Sequence, residues 1–163
     1  MLNNHYFPIF INMQDKRFFF WGAGKIASRR INNLLRFGAT VYVIAPSIHP
    51  DIASAMSVYP KQLVITKKEF SVSDIEDNRI DYAVAATDNC EINRKIVKIC
   101  KDKSIPVNNI SEREQCDFFF PALIEEEDVI GGMISLSANH TKLSKKAADI
   151  RSFLKNKDTQ SLN

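Results

Sequence analysis

The aromatic run Arg17-Phe18-Phe19-Phe20-Trp21 breaks at once into Gly22-Ala23-Gly24-Lys25-Ile26-Ala27, and no other stretch restricts the fold of this chain so narrowly. An all-apolar run of this length reads as a strand buried on both faces. Gly22 permits a tight turn, Gly24 lets backbone amides come close to a ligand, and small Ala27 lets a following helix pack tightly on the strand. Ile26, Ile31, Leu34, Leu35 and Phe37 then recur near helical spacing, and Gly38 follows where a helix end needs positive φ. A second apolar run, Val41-Tyr42-Val43-Ile44-Ala45, stops at Pro46. Strand, turn, helix, glycine and strand within about 30 residues make the βαβ unit of a parallel sheet, whose crossover is right-handed.

The alternation continues along the chain. Ile52 to Met56 predicts a short helix, Leu63-Val64-Ile65 a third strand, and Tyr82 to Ala86 a fourth, after the polar stretch Ser71 to Asp81. Asp88 and Glu91 have capping-box spacing, ahead of a helix with Ile92, Ile96, Ile99 and Cys100 on one face that runs to about Lys103. Pro106 leads into a fifth strand, Val107 to Ile110. The expected fold class is therefore α/β, a Rossmann-type doubly wound parallel sheet with ligands beyond the carboxyl ends of its strands. After Pro121 the character changes. An acidic knot, Glu125 to Asp128, precedes Gly131-Gly132 and Met133 to Leu136, and a last helix spans about Thr141 to Leu154 with Leu143, Ala147, Ile150 and Leu154 on one stripe. The expected division is a sheet domain over 1–120, a smaller segment over 121–157 and a disordered tail over 158–163.

Composition excludes several function classes. At 163 residues with 45% apolar side chains, one core is the default and no disulfide or metal staple is needed. Twenty-two basic against nineteen acidic residues leave +3, too slight a bias to argue for nucleic acid. No run approaches the roughly 20 apolar residues of a membrane span, and Met1 to Phe10 lacks the basic start and apolar core of a signal peptide. Cys90, Cys100 and Cys116 are odd in number and form no C-x-x-C element, which favours a reducing compartment. A cytoplasmic location without a membrane partner is the expectation. Cys100 falls on the buried helical stripe, and neither Cys90 nor Cys116 has a histidine close in sequence, so thiol catalysis is not expected.

The glycine loop predicts a dinucleotide pyrophosphate held by backbone amides at Gly22, Ala23, Gly24, Lys25 and Ile26, with the helix dipole behind them. The acidic residue that usually grips the adenosine ribose, about 20 positions on, is missing from Ile44 to Ser47. No Arg or Lys lies between Val41 and Tyr59 to hold a ribose phosphate, so NAD is expected over NADP by elimination, with Pro46 and Ser47 bordering the adenosine. Thr87 and Asp88, ending the fourth strand, are expected beside the nicotinamide ribose, and Asn108 at the end of the fifth. His140 is a candidate base because its reference pKa lies near neutrality. His5 and His49 lack ligand-spaced partners, so no metal site is expected.

Tyr6-Phe7-Pro8-Ile9-Phe10, the glycine loop, Val43-Ile44-Ala45-Pro46, Ala85-Ala86-Thr87-Asp88 with Asn93-Arg94, Val107-Asn108 and Cys116 to Pro121 follow one another in a telling order. The set resembles the precorrin-2 dehydrogenase and sirohydrochlorin ferrochelatase family, the amino-terminal module of siroheme synthase, over roughly residues 5 to 150. The resemblance implies NAD-dependent oxidation of precorrin-2 to sirohydrochlorin on the way to siroheme or cobalamin. It also implies a homodimer whose arm, from Pro121 to about Leu154, exchanges strands with a second subunit. Some relatives also insert ferrous iron, so a bifunctional chain is one alternative, and a non-catalytic nucleotide or tetrapyrrole binding module another. Lys25, Arg29, Lys142, Lys145 and Lys146 are candidates to attract a polycarboxylate tetrapyrrole, and Phe118 to Phe120 could stack on one or pack a core.

Two departures bear on the chemistry. Similar proteins often place an aspartate ten residues before the proline of the F-x-x-P element, as a proton-transferring group; here that position, ahead of Pro121, is Ser111. A serine is a poor base, so Glu112 and Asp117 become candidates to replace it. Ser135-Leu136-Ser137-Ala138-Asn139-His140 stands where relatives carry a serine or threonine followed by paired glycines.

Overall fold

The structure is a computed structural model that describes residues 5–76, 78–137 and 139–160, as backbone alone at 140 and 156–160. Its contacts divide the chain into Ile11–Phe118 and a second unit made of the described parts of Met1–Phe10 and Phe119–Asn163. The amino-terminal segment thus goes with the arm, whereas the sequence had suggested that it belonged with the sheet.

Aromatic and β-branched residues, which suit a buried pleated surface, build the first unit. The βαβ start is β1 (Arg17–Trp21), α1 (Lys25–Arg36) and β2 (Thr40–Ile44). It continues through α2 (Pro50–Val58), β3 (Leu63–Thr66), α3 (Ser73–Glu76), β4 (Tyr82–Ala85), α4 (Cys90–Asp102), β5 (Val107–Asn109) and a 3-10 turn at Arg113–Gln115. The sheet is wholly parallel in the order β3-β2-β1-β4-β5. The chain reverses its direction of travel across the sheet between β1 and β4, which makes the carboxyl ends of these strands the topological switch point.

Strand alternation sorts β1 onto two faces. Phe19 and Trp21 join Ile44, Ile75, Ala83, Ala85, Ile96, Val97, Cys100 and Val107 in one cluster under α4. Phe18 points the other way, stacks on Tyr82 at 4.7 Å and meets Phe118 edge-on at 6.4 Å. Asn108 lies on that second face, opposite to its neighbour Val107, and α1 reaches it through Arg30 Nη1, which donates to Asn108 Oδ1 at 2.6 Å.

Three local expectations shift. The N-cap of α4 is Asn89, whose Oδ1 accepts from Glu91 N at 2.9 Å and Ile92 N at 3.2 Å, so Asp88 is not the capping residue. The second helix starts earlier than Ile52 because Pro50 occupies its first turn and His49 Nδ1 accepts from Asp51 N. The polar stretch before β4 holds the short α3, where buried Asp74 accepts from Ser71 N and pairs with Lys68 at 2.5 Å.

In the second unit, β6 (Ala122–Glu126) and β7 (Val129–Met133) form an antiparallel hairpin with Ala122 opposite Met133 and Glu126 opposite Val129. The acidic knot is thus the end of a strand and its turn, with Glu127 at φ +47°. Helix α5 (His140–Gln160) lies against β6, buries Ala147, and fixes the strand by a bond from Arg151 Nη1 to Leu123 O at 2.9 Å. It takes in Asp158–Gln160, which the sequence had assigned to a disordered tail; 161–163 lie outside the described residues. Among the described residues no helix is long and apolar enough to cross a membrane.

All three cysteines are free, and they differ in setting: Cys90 is exposed, Cys100 buried and Cys116 half-buried. Burial pushes the Cys100 thiol up from 9.0 to about 12. The unfolded thiol ionises first as pH rises, so this group's contribution to stability is present below pH 9 and is lost between 9 and about 12. A native thiol titration at pH 8 should therefore label Cys90 quickly and leave Cys100 unlabelled until denaturant is added; rapid native labelling of Cys100 would contradict the packing of α4 on the sheet.

Candidate functional site

The carboxyl edge of the sheet gathers the tips of β1, β2 and β4 around Gly22. Gly22 N donates to Ile44 O at 3.0 Å on one side, and Ala86 N donates to Trp21 O at 2.7 Å on the other. Gly22 has φ +107°, and a Cβ there would lie 2.1 Å from Ala86 O. No other residue type can turn the chain at this point. Gly24 is different: a Cβ on it would meet nothing within 4 Å, so the space it faces is open.

Helix α1 begins at this open space with no side-chain cap and no acidic residue in its first turn. Ser28 N donates to Gly24 O at 2.9 Å, the first bond of the helical ladder. The amides of Gly24, Lys25, Ile26 and Ala27 therefore have no acceptor among the described residues, as at any helix start that lacks a cap. Ala27 is buried against the sheet while Gly24, Lys25 and Ile26 are exposed. Unpaired amides, a helix dipole and an open front suit an anion, and the pyrophosphate of a dinucleotide fits this cradle.

Beyond β2, Pro46 and Ser47 are exposed, and the loop is tied to the glycine turn by His49 N donating to Ala23 O at 3.0 Å. The next carboxylate along the chain, Asp51, lies in the first turn of α2 beside His49. Parallel pairing adds what the window Val41 to Tyr59 could not show. Thr66 pairs with Ile44, and Thr66 O accepts from Ala45 N at 3.2 Å, which brings Lys67 and Lys68 at the β3 tip alongside. Lys68 is held by Asp74, whereas Lys67 is exposed.

The tips of β4 and β5 are joined by Asn93, a fully buried side chain on α4. Its Oδ1 accepts from Thr87 N at 3.0 Å and Thr87 Oγ1 at 2.7 Å, and its Nδ2 donates to Thr87 O at 3.0 Å and Ser111 Oγ at 2.8 Å. Sequence reading gave Asn93 no role of its own. The available signal was a polar residue on the same helical face as Ile96, Val97 and Cys100, where burial demands full pairing. Thr87 and Asp88 follow the end of β4 at this edge, with Asp88 exposed and without a hydrogen-bond or ion partner among the described residues.

Other candidates fall elsewhere or are already occupied. Asn108 is 2% exposed and sits within β5, giving Nδ2 to Phe118 O at 2.7 Å and taking Arg30 on Oδ1; it pins α1 and the following loop and is not open to a cofactor. Burial lowers the Arg30 guanidinium to about 10, which leaves it charged at neutral pH. Asp117 lies at the opposite, amino edge, where its Oδ2 accepts from Val107 N at 2.9 Å and its N donates to Val107 O at 2.9 Å. Replacement of the base by Asp117 is therefore excluded by position. Glu112 takes Arg94 Nε on one oxygen and Gln115 Nε2 on the other, both at 2.5 Å, and Arg94 also holds Glu91 at 2.6 Å. The two carboxylates raise the Arg94 pKa, and Glu112 acts as an ion-pair partner with both of its oxygens already taken by donors. The backbone of His140 starts α5; its side chain lies outside what the structure describes. Cys116 and Asp117 together occupy the outer side of β5, since Asn109 N donates to Cys116 Sγ at 3.2 Å and Cys116 Sγ donates to Asn109 O at 3.1 Å.

Comparison with known proteins agrees with this geometry. The family model NAD_binding_7, described as "Putative NAD(P)-binding", matches residues 9–122. The "Probable multifunctional siroheme biosynthesis protein HemA" of Ruminiclostridium josui is 32% identical over 143 residues, which cover 88% of this chain and 27% of that protein. The "Siroheme synthase" of Methylobacillus flagellatus is 32% identical over 126 residues, 76% of this chain and 26% of that one. The chain thus spans about a quarter of the length of these curated relatives. Among solved structures, "SirC, precorrin-2 dehydrogenase" aligns with a TM-score of 0.75 and 24% identity, covering 90% of this chain and 70% of that one, and has the same fold.

The two loop glycines should fail in different ways. Gly22→Ala should destabilise the fold by at least about 3 kcal/mol, from backbone strain and collision with Ala86. Gly24→Asp should keep its thermal midpoint and lose dinucleotide binding in calorimetry, because its carboxylate would stand in the anion's place. A folded Gly24→Asp chain that retains full affinity would place the nucleotide elsewhere.

Proposed function

This chain belongs to the NAD(P)-binding family matched over residues 9–122, and on that footing we propose that it oxidises precorrin-2 to sirohydrochlorin with NAD. The observation that carries this reading is the uncapped amide cradle facing the open space at Gly24, at the switch point of the sheet. The likenesses to proteins called siroheme synthase and precorrin-2 dehydrogenase supply the substrate class. The bound dinucleotide would supply the hydride acceptor, and the substrate would lose one hydride and one proton. Gly22 to Ile26 would hold the pyrophosphate, and Pro46 and Ser47 would border the adenosine. Thr87 and Asp88 would border the nicotinamide ribose. NAD is preferred over NADP because the β2 loop itself offers no cation, although Lys67 follows the end of the neighbouring strand.

We assign proton acceptance to Asp88 because it is an exposed carboxylate at the β4 tip with no partner among the described residues, whereas Glu112 is ion-paired, Asp117 lies at the far edge, Ser111 is a weak base and the side chain of His140 lies outside the described residues. Anaerobic addition of precorrin-2 and NAD to the purified chain should produce reduced nicotinamide absorbance. Asp88→Asn should slow that oxidation about a hundredfold while dinucleotide affinity is kept. No reduced nicotinamide with the wild-type chain would dismiss the enzyme in favour of a binding module. Siroheme formation with ferrous iron, beyond a metal-only control, would extend the activity to the bifunctional form with which the siroheme synthase likenesses are also compatible.

The second unit supports a homodimer. Phe7 is 84% exposed, Phe10 72%, Val129 61% and Phe153 58%, so this unit leaves several large apolar side chains to water that a second copy could cover. Sedimentation should return about twice 18.6 kDa, and Val129→Lys with Phe153→Lys should return the single-chain mass. A wild-type monomer at high concentration would count against the assembly.

A further inference from the structure

Asn93 determines the direction of a hydroxyl proton at the sheet edge. Thr87 N–H can only donate and Thr87 C=O can only accept, so chemistry fixes which way the Asn93 amide faces. Oδ1 must lie toward the N–H and Nδ2 toward the carbonyl. The second hydrogen on Nδ2 then points at Ser111 Oγ, 2.8 Å away, and Ser111 has to be the acceptor in that bond. Its own proton is consequently turned away from Asn93, and no acceptor receives it among the described residues. Ser111 is exposed, and its loop is held by Ser111 N donating to Asn109 Oδ1 at 2.9 Å. The result is a fixed hydroxyl whose proton faces outward.

We propose that Ser111 is a hydrogen-bond donor to a carboxylate of the tetrapyrrole substrate, and that Asn93 is the positioning residue that sets this polarity. The inference rests on the function proposed above and adds a specificity contact to it. The β5 tip lies two strands from β1, with β4 between, so the acceptor belongs to the substrate and not to the pyrophosphate at the glycine loop. Arg94, next to Asn93 on α4, is already engaged by Glu91 and Glu112. A neutral donor held in one orientation is what this edge presents to an anionic oxygen. The contact assigns Ser111 to binding and removes it from proton abstraction.

Uroporphyrin, a stable polycarboxylate porphyrin, is the probe, titrated by absorbance against the full chain, with dinucleotide affinity measured in parallel. Ser111→Ala should weaken uroporphyrin at least about tenfold, the cost of losing a hydrogen bond to a charged group, and leave dinucleotide affinity within about twofold. Ser111→Thr, which keeps the hydroxyl, should restore binding. Asn93→Asp puts an oxygen in place of Nδ2, so Ser111 would turn its proton inward; that variant should weaken uroporphyrin as much as Ser111→Ala does, and add nothing in the Ser111→Ala background. A purely structural role for Asn93 would give additive losses and would overturn the positioning assignment. If Asn93→Asp does not fold, the Ser111→Ala and Ser111→Thr pair decides. Unchanged uroporphyrin affinity in Ser111→Ala, with the wild type binding normally, overturns this inference alone. A wild-type chain that neither binds uroporphyrin nor oxidises precorrin-2 overturns the function it rests on as well.

Discussion

The contact between the backbones of Gly22 and Ala86 is the constraint on which the functional edge depends. Two parallel strands end side by side here, and the chain leaves β1 so close to the β4 tip that a methyl group would overlap a carbonyl oxygen. That approach lets α1 begin directly over the switch point with its first amides facing outward. A wider turn would move the helix start away from the crevice and give up the alignment of amides with the space at Gly24. Ala27, 1% exposed, is the corresponding requirement one turn later, because the helix can lie this close to the sheet only with a small side chain beneath it.

Around this constraint the edge is organised by side chains that spend their polarity internally. Asn93 couples the tips of β4 and β5, Asn89 caps α4, and Arg94 draws Glu91 and Glu112 together on the outside of the same helix. Each removes a polar group from the pool available to a ligand. Among the described residues, what remains open includes the amides of α1, the hydroxyls of Ser47 and Ser111, the carboxylate of Asp88 and the exposed Lys25 and Lys67. This sparseness is compatible with the proposed hydride transfer, in which geometry and a dinucleotide would account for most of the chemistry.

The sheet was legible from the sequence because its strands are short apolar runs broken by glycine, proline or polar clusters, and the period changes to helical between them. The glycine loop was legible for the same reason, since its function is conformational and glycine announces it. The β6–β7 hairpin was missed because Glu125 to Asp128 reads as a solvated knot, whereas Glu125 and Glu126 are strand residues paired with Ile130 and Val129. Residues whose role depends on pairing across distant segments were the least legible. Asn108 was read as a group at a strand end and Asp117 as a substitute base, and only the reversal of the chain along β5 shows that one is buried within the strand and the other lies at its amino edge. Lys67 escaped notice because proximity in a parallel sheet follows strand order, and β3 lies next to β2 while being distant from the loop searched in sequence.

The reversal along β5 has a consequence for the molecule as a whole. A strand at the border of a sheet normally presents free amides and carbonyls to any extended peptide that drifts past. Here Asp117 and Cys116 satisfy the outward groups of Val107 and Asn109 from within the chain, and the border is closed to recruitment. The other border of this sheet is β3, where Thr66 is followed by exposed Lys67, the kind of charged guard that discourages edge-to-edge growth. A half-unfolded copy searching for a template would thus be turned away at both flanks, by saturation on one and by charge on the other.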